Sequence, residues 1–141
     1  MIEFDPASQQ IVWQYAGTPE HPSELARHAV IAYSLLAMGD QWEFEGPAGP
    51  VTVKVAPRMR TNSGGTCCAA AVQHQGIVLQ PSFLVATHLA SGALVELLPQ
   101  YRSIELGIYA VYPPGRFTQP KVRAFIDFLA QAFADKGPDA W

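Results

Sequence analysis

The sequence predicts an α/β fold, and three observations carry that expectation. Short apolar runs of the buried-strand kind recur along the chain, runs with helical apolar spacing alternate with them, and Pro and Gly fall between the runs as punctuation. At 141 residues and 49% hydrophobic, the chain has enough apolar material to bury a real core, as one ordinary domain or two very small lobes. With only 15% charged residues it is not of disordered composition.

Taken in order, Ile11 to Tyr15 reads as a short strand ended by Gly17, Thr18 and Pro19, and Pro22 to Ala26 as one helical turn with Ser23 near its start. Val30-Ile31-Ala32-Tyr33 is a buried-type strand. Trp42 to Glu45 and Val51 to Val55 each alternate around the turn Gly46-Pro47-Ala48-Gly49-Pro50, which predicts a hairpin with one face to solvent. Thr66 to Val72 is a helix of small residues, Ile77 to Gln80 a strand closed by Pro81, and Ser82 to Leu89 a helix terminated by Gly92. Leu94 to Leu98 and Ile104 to Tyr112 read as two further strands. The last helix is the clearest: Thr118 is placed to cap it, Pro120 fits its first turn, and Val122, Phe125, Ile126, Leu129 and Phe133 recur as an apolar stripe.

Charge and composition narrow the function classes. Nine Lys and Arg against twelve Asp and Glu give a net charge of −3, so the chain lacks the basic footprint that nucleic acid or an anionic membrane requires. No apolar stretch approaches the roughly 20 residues of a membrane span. Met1 is not followed by a basic region leading into an apolar run, so no secretory signal is visible and a cytoplasmic location is expected. The only cysteines, Cys67 and Cys68, are adjacent, where a disulfide strains the peptide, and they read as reduced thiols packed as small hydrophobes. His21, His28, His74 and His88 form no metal-ligand spacing, so neither metal nor cofactor is expected. Cys67 and His74, seven apart on a helix, lie roughly 10.5 Å from each other, beyond the reach of a catalytic pair. No catalytic residue is expected.

Two polar segments interrupt the apolar pattern. Thr61-Asn62-Ser63-Gly64-Gly65-Thr66 offers hydroxyls, an amide and free backbone donors at a helix start, which suits either an anionic or polar ligand or plain capping by Asn62 or Ser63. Gln80-Pro81-Ser82-Phe83 lies where a strand leads into a helix, the usual place for ligands in such folds. Gln80 either caps the ladder or points into a cleft.

Read together, these segments resemble the effector-binding domain of LysR-type transcriptional regulators. The resemblance is carried by Gly76 to Val85, by Leu89 to Pro99, and by Ile108-Tyr109-Ala110-Val111-Tyr112-Pro113 leading to Pro120 to Leu129. Upstream, Pro22 to His28, Trp42-Glu43-Phe44 and Thr61-Asn62-Ser63 stand in the family's order. It implies a periplasmic-binding-protein-like (type 2) fold of two α/β lobes joined by crossing strands, with a small effector in the cleft. This chain would then consist of a divergent N-terminal segment (1–15), the second lobe (16–103), a crossing strand and C-terminal helix belonging to the first lobe (104–134), and a tail (135–141). The helix-turn-helix and the first half of the effector domain are not in the chain, so DNA would be reached only through parts it lacks.

The implied ligand site is Thr61, Asn62, Ser63, Gln80 and Pro81, and the implied ligand a small polar or carboxylate metabolite. Gly64-Gly65 and His74-Gln75-Gly76 depart from the family pattern, replacing acidic or bulkier residues and a small-Leu-Gly turn. The expected role is effector sensing and homo-oligomerisation within a regulator, or binding as a stand-alone module descended from one. The C-terminal helix and the 104–112 strand should be covered by another chain, a swapped element or the N-terminal segment.

Overall fold

The structure, a computed structural model, describes residues 2–13, 18–103, 105–111 and 119–134. The chain opens with a long strand, β1 (Ile2–Trp13), followed by a 3₁₀ helix over Pro22–Arg27. His21 caps that helix, its Nδ1 accepting from the Ser23 N–H at 3.2 Å. Then come β2 (Val30–Tyr33), the hairpin β3 (Gln41–Gly46) and β4 (Gly49–Lys54), and β5 (Pro57–Thr61). Helix α1 (Gly64–Val72), strand β6 (Ile77–Pro81), helix α2 (Ser82–Ala90), the short β7 (Val95–Glu96), β8 (Glu105–Ala110) and helix α3 (Pro120–Ala134) complete it.

The main sheet has the order β5-β2-β6-β1-β7. Strands β5, β2 and β6 run parallel, and β1 is inserted antiparallel between β6 and β7. Residues 9–13 of β1 make those pairings, while residues 2–8 pair antiparallel with β8. One strand thus serves the sheet with its second half and β8 with its first.

The central strands are buried on both faces, so their alternation divides the core in two. Val30, Ile77 and Leu79 join Trp42, Phe44, Val53, Val55 and Leu25 on the hairpin side. Ile31 and Val78 join Cys67, Cys68, Ala71, Val85 and Leu94 on the side of α1 and α2. Small residues on α1 let it lie close to the sheet. Both cysteines are reduced and buried there, and burial pushes the Cys67 thiol from 9.0 up to about 11 and raises that of Cys68.

Most of the expected elements are present, and four differences have physical causes. Strand β1 starts at Ile2 rather than Ile11, because its first half finds β8 as a partner, and Tyr15 lies outside the described residues. β5 was not expected: its sequence, Pro-Arg-Met-Arg-Thr, suits a sheet edge, where a leading Pro and alternating charges are tolerated. Arg60 on this edge binds Asp40 at 2.6 Å and holds its carboxyl below the usual range. The apolar run Leu94–Leu98 yields only a two-residue strand. Leu94, Leu97 and Leu98 are buried as loop residues, and the Tyr101 N–H closes a turn on the Leu98 carbonyl at 2.8 Å. The hairpin turn is tighter than the Gly/Pro run suggested, since pairing continues to Gly46 and Gly49.

In α3 the expected stripe is only partly covered: Ile126 is buried, while Phe125 is 60% exposed. Thr118, the expected cap, and both ends of the 104–112 strand lie outside the described residues. Of the three coverings foreseen for β8, the N-terminal segment supplies one through β1.

Two predictions follow from this packing. Gly76 has φ +153, and a Cβ there would stand 2.5 Å from the Ala29 carbonyl oxygen, which accepts the Ile77 N–H at 2.8 Å. Gly76→Ala is therefore expected to lower unfolding stability by about 2–3 kcal/mol in urea titration. Because the folded Cys67 thiol holds its proton more tightly than the unfolded one, stability falls as pH rises from 9.0 to about 11. Cys67→Ala should flatten that decline in denaturation curves recorded across this range.

Candidate functional site

The C-terminal ends of three parallel strands form one corner of the sheet. Tyr33 at the end of β2 pairs with Thr61 at the end of β5, and the Ser34 N–H donates to the Thr61 carbonyl at 2.9 Å. Val30 and Ile31 pair with Ile77 and Val78, so β2 and β6 run side by side toward this corner. Loops leaving these ends enter α1 and α2. Thr61, Asn62, Ser63, Gln80 and Pro81 therefore meet at this corner, although Ser63 and Gln80 stand 17 positions apart in the chain.

Each residue's role depends on the first turn of α1. The Thr61 Oγ1 accepts from the Ser63 N–H at 3.2 Å, shaping the entry. Ser63 is the cap: its Oγ accepts from the Thr66 N–H at 3.2 Å and its carbonyl from the Cys67 N–H at 3.1 Å. Asn62 takes no part in capping and stands exposed. A helix leaves four leading N–H groups without helical partners. Here Ser63 and Thr66 find side-chain acceptors, while Gly64 and Gly65 have none among the described residues. The first turn carries no acidic side chain to answer the positive end of the helix dipole.

Gln80 is the unusual member. It closes an otherwise apolar strand, is only 1% exposed, and its Nε2 has no hydrogen-bond partner. A buried donor left unmade costs about 1–3 kcal/mol. Alternation puts its side chain on the α1 side, with Val78, and its Oε1 lies 2.9 Å from where a Cβ on Gly64 would be. The δ-methyl of Leu84 crowds the same point at 2.5 Å, so the first turn of α2 is pressed against the first turn of α1. Glycine at 64 makes room for the carboxamide. Pro81 is half-buried and starts α2 without a side-chain cap.

The corner thus brings the first turn of α1, with the Gly64 and Gly65 N–H groups, against a buried amide whose Oε1 lies beside Gly64 and whose Nε2 has no partner. Sequence reasoning marked both segments but did not find Tyr33, whose pairing with Thr61 is set by strand register alone. Neither did it mark Leu35, exposed just beyond Ser34. Nothing in the sequence distinguishes that leucine from Leu36, which is partly buried against the hairpin-side core.

The other candidates are not assembled. Cys67 is fully buried and holds its proton, the opposite of an activated nucleophile. Among the described residues no group of three or more His, Cys, Asp or Glu could hold a metal ion. His21 and His28 bound the 3₁₀ helix, His74 follows α1 with φ 60, and His88 sits in the last turn of α2. No helix among the described residues is long and apolar enough to cross a membrane.

Residues 10–134 match the LysR substrate binding domain. The chain is 37% identical over 118 residues to the HTH-type transcriptional regulator PtxR of Pseudomonas aeruginosa, covering 82% of this chain and 38% of that protein. It is 30% identical over 139 residues to DmlR of Escherichia coli, covering 94% of this chain and 43% of that regulator. It therefore spans about two fifths of the length of these relatives. Among solved structures, full-length AphB, a virulence activator of Vibrio cholerae, superposes with a TM-score of 0.81 at 24% identity, over 94% of this chain and 47% of that one. The regulatory domain of CrgA from Neisseria meningitidis gives 0.69 at 21% identity, over 94% and 67%. These likenesses establish the type 2 periplasmic-binding-protein-like fold. With the sheet order, the antiparallel insertion of β1 and the match over 10–134, the chain belongs to the LysR substrate-binding-domain family.

Proposed function

We propose that the chain is the effector-sensing part of a LysR-type regulator, binding a small polar or carboxylate metabolite at the corner formed by Thr61, Asn62, Ser63, Gln80 and Pro81. It acts by binding rather than turnover, in the cytoplasm, and contacts no DNA itself. One observation supports the reading: the Gln80 amide is buried at this corner, its Oε1 beside Gly64 and its Nε2 without a partner. A native structure keeps such an unmade bond where something else completes it. An oxygen of a bound acid would do so.

Association with further copies of the chain completes the proposal. Phe125 and Phe128 of α3 are 60% and 65% exposed, close together on one helix, which supports burial against another chain.

Gln80→Leu tests the site in two ways. The variant removes the unpartnered donor, so the ligand-free protein should gain about 1 kcal/mol of stability in urea titration. In calorimetry against a panel of acetate, succinate and phenylacetate, the same variant should weaken binding about tenfold or more, and Asn62→Ala should weaken it less. A panel in which nothing binds, or a Gln80→Leu variant with unchanged affinity, overturns the site. Light scattering is expected to find more than one chain per particle, reduced by Phe125→Ser with Phe128→Ser. A monomeric parent protein would remove the association.

A further inference from the structure

We draw no further inference here: the strongest candidate, the half-covered apolar face of α3 that carries Phe125 and Phe128, belongs to the association already proposed, and nothing in the structure shows what covers it.

Discussion

The period-two alternation of β6 is the constraint on which the rest depends. Ile77 and Leu79 must enter the hairpin-side core because Val78 enters the helix-side core, and the same rule sends Gln80 beneath the first turns of α1 and α2. A slip of one residue would put Gln80 in the hairpin-side core with Trp42, Phe44 and Val53. The buried amide is therefore a consequence of strand geometry joined to a sequence choice at one position. The strand could have ended in another Leu at lower energetic cost.

Close packing of α1 brings its first turn onto that amide. Gly64, Cys67, Cys68 and Ala71 give the helix a thin face, which brings its first turn to Gln80 and Leu84. Ser63 and Thr61 satisfy two of the leading N–H groups and leave the two glycines open. Capping and ligand binding were alternative readings of Thr61-Asn62-Ser63. The structure divides them: Ser63 caps, Thr61 shapes the entry, and Asn62 is left exposed beside them. The cysteines meanwhile serve as small apolar side chains, and their raised thiol pKa values follow from that burial.

Legibility followed the strength of local signals. α3, the β3–β4 hairpin, β2 and β6 announce themselves through periodicity and turn residues, because their burial pattern is local. β5 does not, since an edge strand rich in Arg has no apolar pattern to read. Leu94 to Leu98 misleads in the opposite sense: an apolar run is required by burial, yet only Val95 and Glu96 find a strand partner. The first half of β1 depends on β8, about a hundred residues away, which no local pattern reveals.

By itself the sequence determined the α/β class, the family resemblance and the two polar segments from which the proposed site is built. Those follow from side-chain chemistry and spacing along the chain. Only the tertiary structure decided that the two segments share a corner, that Tyr33 pairs with Thr61 there, and that Gln80 is buried with its donor unmet. The reason is physical. Hydrogen-bond satisfaction and exposure are properties of what surrounds a group, and at this corner the surroundings come from β2, β5, β6, α1 and α2, joined by register and close packing.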